Sequence, residues 1–161
     1  MDDILEKIGE LPDVEVQPGD AIIKEGVPAD GLFFLVSGSV EIVAGGFRIA
    51  ESRNVGAVFG EMSFLLETTP SATVRALEPS KFKLARNRAE FLSHHPEAVS
   101  HIAMVLARRL DSLNRYIVDF KRQFADRGDH LGMMGDILSS IAGSQPKAGR
   151  RELRPVDEVD D

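Results

Sequence analysis

Residues 58–75, VFGEMSFLLETTPSATVR, hold the densest set of groups in this sequence able to bind a small anionic molecule. Gly60 lets the backbone approach a ligand closely. Glu61–Leu66 suits a short helix, whose first turn offers unpaired N–H groups and a positive dipole end. Glu61 in that turn can accept hydrogen bonds from a sugar hydroxyl, and Thr68, Thr69, Ser71 and Thr73 supply further hydroxyls. On residue chemistry alone the segment reads first as a turn and a capped short helix, with an anion pocket as the alternative.

Other chemistries find less to work with. His94, His95 and His101 lack acidic or cysteine partners at metal-ligand spacing and read as surface histidines near a helix junction. There is no G-x-x-x-x-G-K-[ST] phosphate loop and no G-x-S-x-G nucleophile turn. The paired carboxylates Asp2-Asp3 and Asp160-Asp161 stand at the ends of the chain, where no pocket can perturb them. The absence of cysteine excludes disulfides, thiolate metal sites and a cysteine nucleophile. No enzyme active site, metal or cofactor is expected.

Glycine and proline show which elements must position the segment. Nine of the fourteen glycines lie in residues 1–60 and none in 61–127, and no proline falls between Pro96 and Pro146. β structure is therefore expected first and helix later. Strands are expected at Ala21–Lys24, Leu32–Ser37, Ser39–Val43, Phe47–Ser52, Ala72–Ala76 and Phe82–Ala85, with a two-residue hairpin at Gly45-Gly46. Turns at this spacing favour a sandwich or barrel-like roll. Pro96 suits the first turn of a helix. From there Val99, Leu106, Leu113 and Phe120 repeat every seven residues, beside a second row of Ala103, Leu110, Ile117 and Phe124. The two rows predict one helix of about thirty residues, ~45 Å long, with a broad apolar stripe.

The expected division is an N-terminal helix and roll over 1–95, the long helix over 96–127, a short amphipathic helix over 128–142 and a disordered tail over 143–161. The stripe reaches beyond what a roll can cover, which points to a homodimer seam of Val99, Leu106, Leu110, Leu113, Ile117, Phe120 and Phe124. A helix packed wholly within its own subunit is the alternative. Of the 161 residues, 43% are hydrophobic and the formal charge is −7. That charge argues against direct binding to DNA. The chain also lacks a run of roughly 18 apolar residues, so no membrane span is expected. The acidic start, MDDILEKIGELP, has no leader-like apolar run, and a soluble cytoplasmic protein is expected.

Residues 58–75 resemble the phosphate-binding cassette of the cyclic-nucleotide-binding domain family, which runs F-G-E, a short helix, then P-R-[ST/A]-A-[ST]-V. Phe59-Gly60-Glu61 match its opening and Ser71-Ala72-Thr73-Val74 its close, without a gap. Upstream, Pro18-Gly19-Asp20, Ile22, Gly26, Asp30, Leu32-Phe33 and Gly38 match the family's P-G-[DE]…G…D…[LM]-[YF]…G framework. The resemblance covers roughly residues 5–127. It implies an α+β fold, mainly β: an antiparallel β-roll (jelly roll) followed by a long dimerisation helix.

It also implies roles for particular residues. Glu61 matches the glutamate that binds the ribose 2′-hydroxyl, and backbone N–H groups around Gly60–Met62 would lie near sugar and phosphate. Ser71, followed by Ala72 and Thr73, matches the small residue that contacts the cyclic phosphate. Ala107-Arg108-Arg109-Leu110 match an A-R-R-L motif, which makes Arg109 the brace of the glutamate and sets Leu113 and Asn114 against the base.

One departure matters. The family's P-R is Thr69-Pro70 here, so the phosphate-binding arginine is absent. A hydrogen bond to a charged group contributes ~1.5–3 kcal/mol, and ~1.4 kcal/mol is tenfold in affinity, so the loss weakens binding by roughly one to three orders of magnitude. Arg48, Arg53, Arg75 and Arg109 are the candidate substitutes, with solvated strand positions or a salt bridge as the plainer reading. The expected function is a regulatory module that senses cyclic AMP, cyclic GMP or a related anionic nucleotide and signals through a dimer helix to an effector protein. The alternative is a degenerate fold acting as a protein-interaction or dimerisation module. Residues 128–161 are too few for a winged helix-turn-helix.

Overall fold

The computed structural model describes residues 3–125 and 140–141. Its elements run α1 (Asp3–Lys7), β1 (Asp13–Val16), β2 (Ala21–Ile23), β3 (Leu32–Ser37), β4 (Val40–Ala44), β5 (Phe47–Ser52), β6 (Val58–Phe59), α2 (Glu61–Leu66), β7 (Thr73–Ala76), β8 (Ser80–Ala85), α3 (Arg88–His94) and α4 (Pro96–Gln123). Two four-stranded sheets, ordered β1-β8-β3-β6 and β2-β7-β4-β5, form an antiparallel β-roll. All six expected strands and α2 are present within a residue or two.

β3 is the pivot of the packing. Its run Leu32-Phe33-Phe34-Leu35 is buried throughout, and successive side chains point to opposite faces. Phe33 and Leu35 join Val16, Ile23, Val40, Phe59, Val74, Ala76, Phe82 and Leu84 in a core between the sheets. Leu32 and Phe34 join a second core with residues of all four helices, including Ile4, Ile8, Phe64, Phe91, Ala98 and Ile102.

Ala44 pairs with Phe47 across Gly45 and Gly46, whose φ values of 57° and 82° are the left-handed pair that a two-residue hairpin demands. Further along that pair the register slips between Ile42 and Val43, so that Ile42 opposes Ala50 while Val43 opposes Arg48. The bulge at Ile49 lets Arg48 and Glu51 share a face, where they lie 3.6 Å apart.

Three elements were not anticipated. β1 alternates acid and valine over four residues, and β6 is two residues long. α3 carried a legible signal: the Asn87 side chain accepts the Glu90 N–H at 3.0 Å, the N-cap that Asn-x-x-Glu advertises.

The chain divides into two compact units, Met1–Arg108 and Arg109–Asp161. Within the first, the start of α4 closes the helical core. Ala98 and Ile102 are buried, and Val99 and Leu106 pack partly buried against that core. Val99 and Leu106, expected on the seam, thus spend part of their surface on packing within their own subunit. Within the second unit, Leu110 and Leu113 are 44% and 46% exposed and Ile117 is buried. There the Phe120 and Phe124 rings lie with centroids 4.5 Å apart. The expected pieces at 128–142 and 143–161 fall outside the described residues, except Ser140 and Ile141, which are helical. Among the described residues no helix is long and apolar enough to cross a membrane.

Candidate functional site

The cassette is a strand, a left-handed glycine, a short helix and an extended return. β6 delivers the chain to Gly60, whose φ of 82° and ψ of 11° place it at the N-cap of α2. A Cβ there would stand 2.9 Å from Ile23 Cδ1 and 3.1 Å from the Gly31 carbonyl, so only glycine fits the space and the torsion. The Gly60 carbonyl accepts the Phe64 N–H at 3.0 Å and the Ser63 hydroxyl at 3.2 Å. With no side chain of its own, Gly60 leaves the opening amides of α2 without a side-chain cap.

Glu61 opens α2 and is 6% exposed, while the next residue, Met62, is exposed. A carboxylate held that deep is costly without compensating partners, and it already has an interaction within the chain. At the other end of α2, Glu67 takes the left-handed conformation at φ 55° and its carboxylate pairs with Arg88 at 2.9 Å. The helix is thus fixed at both ends.

The return strand is held by residues that sequence reasoning missed. Pro70 is buried, and its carbonyl accepts the Gly26 N–H at 2.9 Å. Thr73 Oγ1 accepts the Glu25 N–H at 3.0 Å, and the Glu25 carboxylate accepts the Gly45 N–H at 3.3 Å. The β2–β3 turn therefore buttresses the cassette and ties it to the β4–β5 hairpin. Of the two residues that hold it from the β2–β3 turn, Gly26 carried a prior signal through the family framework and Glu25 did not. Ser71 is exposed and Ala72 and Thr73 are half-buried.

Three of the four arginines considered as substitutes are paired with carboxylates of the outer strands. Glu41 receives Arg48 Nε at 2.8 Å on one oxygen and Arg75 Nε at 2.8 Å on the other. Arg75, hydrogen-bonded to it, holds the Glu41 carboxyl below its ordinary range against a contrary desolvation, with Arg48 adding to the effect. Arg53 lies 3.7 Å from Glu51. These three serve the outer charges of β4, β5 and β7. Arg109, Leu113 and Asn114 stand on α4 in the second unit, each exposed. Among the described residues no cluster of three or more His, Cys, Asp or Glu side chains could hold a metal ion.

The family model for the cyclic nucleotide-binding domain matches residues 13–93. Glutaminase 2 of Bradyrhizobium diazoefficiens is 40% identical over 103 residues, 60% of this chain and 16% of that protein. The chain spans less than a quarter of the length of the curated relatives it matches. Among solved structures, the Thermus thermophilus catabolite activator protein superposes with a TM-score of 0.60 at 27% identity, covering 72% of this chain and 58% of that one. The regulatory subunit of a cAMP-independent protein kinase A from Trypanosoma brucei gives 0.53 at 25% identity, covering 64% and 41%. A triple mutant of that subunit, one change introducing arginine for threonine, is solved with cAMP in its A site. With β-roll, cassette order and family model in agreement over residues 13–93, the chain belongs to the cyclic-nucleotide-binding domain family.

Proposed function

We propose that this chain is a regulatory, non-enzymatic sensing module that takes a cyclic nucleotide or a related anionic nucleotide by its ribose side. The observation that carries this is Glu61, buried at 6% exposure in the first turn of α2 directly after the left-handed Gly60. A buried carboxylate at that place matches the ribose-binding glutamate of the family, and burial makes each hydrogen bond to a ligand hydroxyl stronger. Ser71 and the uncapped amides of α2 supply the phosphate contacts in this reading. The roles of Arg109, Leu113 and Asn114 rest on the A-R-R-L likeness alone. Signalling works by differential binding, since a ligand shifts only an equilibrium whose states it contacts differently. A homodimer, transmission through α4, an effector protein and a cytoplasmic setting complete the proposal.

Titration calorimetry with cyclic AMP, cyclic GMP and a cyclic dinucleotide tests it, with Glu61→Ala as control. Binding in the micromolar range or weaker, abolished by E61A, is the expected result. No heat with any of the three at high micromolar protein would overturn it.

A second reading is favoured by one observation: Pro70 is buried where the arginine belongs, while Arg48, Arg53 and Arg75 are paired with Glu41 and Glu51. In that reading the fold persists as an interaction or dimerisation module without nucleotide. The likeness to a subunit of a cAMP-independent kinase is consistent with it.

A further inference from the structure

Away from the cassette, the turn after α1 faces the junction of α3 and α4 across a groove of about 600 Å³. His95, the single residue between those two helices, lines it. Its side chain is 8% exposed, its ring stacks on Phe91 with centroids 5.2 Å apart, and its Nε2 lies 3.5 Å from Glu10 Oε1. Glu10 projects from the α1 turn and its side chain is 76% exposed.

Two features hold the geometry. Lys83 Nζ donates to the carbonyls of Gly9 at 2.9 Å and Leu11 at 3.0 Å, so the backbone on either side of Glu10 is pinned to β8. On the other side, His95 is continuous with both helices: its N–H donates to Phe91 O and its carbonyl accepts the Val99 N–H, each at 3.0 Å. Glu10 is therefore presented to a buried imidazole by a fixed turn.

At 3.5 Å a neutral imidazole gains little from a carboxylate, whereas an imidazolium makes an ion pair. Histidine is the side chain that changes charge between about pH 5 and 8. Among the described residues, the other charged or titratable groups lining the groove are Arg86 on the loop before α3, Glu90 and His94. Glu97 at the start of α4 is engaged by Lys7 at 3.1 Å, and Lys83 by Asp13 at 2.9 Å.

The geometry points to a protonation-controlled clip, in which Glu10 fastens the α1 turn to the α3–α4 junction when His95 is charged and releases it when His95 is neutral. The clip therefore closes on mild acidification and opens as pH rises.

Denaturant unfolding of the full chain and of Glu10→Gln at about pH 5.5 and about pH 8 tests the clip. The variant is expected to lower the folding constant about two- to fivefold at the acidic pH, an effect erased by high salt, and to leave it unchanged at the alkaline pH. In a His95→Gln background the acidic effect of E10Q should vanish. An equal effect of E10Q at both pH values, or none at either, would overturn the clip. If His95→Gln does not fold, exchange of the Leu11 amide in E10Q decides: acceleration over the native chain is expected only at the acidic pH, and equal acceleration at both refutes the clip.

Discussion

The carbonyl of Pro70 accepts the amide of Gly26 at 2.9 Å, so the residue that replaces the family's phosphate-binding arginine is bound into the roll by its backbone. A side chain of any type keeps that carbonyl. Pro70→Arg therefore preserves the buttress and restores the missing cation beside Ser71. Calorimetry should register an affinity for a cyclic nucleotide at least about tenfold above that of the native chain, the equivalent of one charge-assisted hydrogen bond. No gain would show that the cassette is closed to phosphate.

Gly60 offers a test of the local geometry. Alanine there must adopt φ near 82° with its methyl 2.9 Å from Ile23 Cδ1 and 3.1 Å from the Gly31 carbonyl. The left-handed conformation alone costs ~1–2 kcal/mol, and the contacts add to it. Gly60→Ala should lower the unfolding midpoint by several degrees; a midpoint equal to that of the native chain would refute the account of Gly60.

Acid should weaken the fold in part through two named carboxylates. Lys83, hydrogen-bonded to Asp13, foremost holds that carboxyl below its ordinary value of 3.8, and Arg75 does the same for Glu41 against its ordinary 4.5. Both groups are depressed in the folded state, so their stabilisation is fully present above the unfolded values and is lost as pH falls through the folded ones. Thermal melts should therefore start to fall below about pH 4.5. Lys83→Met should melt lower at neutral pH yet lose less on further acidification. Parallel curves for the two proteins would remove Asp13 from this role.

Most of the roll and the opening of the cassette were legible because they rest on local chemistry. Gly45-Gly46 must turn, Leu32–Ser37 reads as a strand, and Gly60-Glu61 must begin a short helix. What stayed hidden depends on distant partners. Nothing in the spacing of Glu25 or Gly26 reveals that they hold Thr73 and Pro70. Likewise, the heptad rows of α4 could not show where one core ends. Val99 and Leu106 share a row with Leu113, yet they pack on the roll. Identical spacing served two different surroundings.

That division of α4 separates two leucines of one row by their consequences. Leu106 is partly buried against the core formed by Phe34, Phe91 and Ile102, whereas Leu113 is 46% exposed. A carboxylate at Leu106 must be desolvated within the subunit, so Leu106→Asp should lower the unfolding midpoint of the roll itself. Leu113→Asp should leave that midpoint in place and instead abolish association, giving monomers on a sizing column where the proposed homodimer of the native chain runs as a dimer. An unchanged dimer in Leu113→Asp would move the seam off this row, because an unpaired carboxylate buried between two apolar helices costs more than such a seam can tolerate.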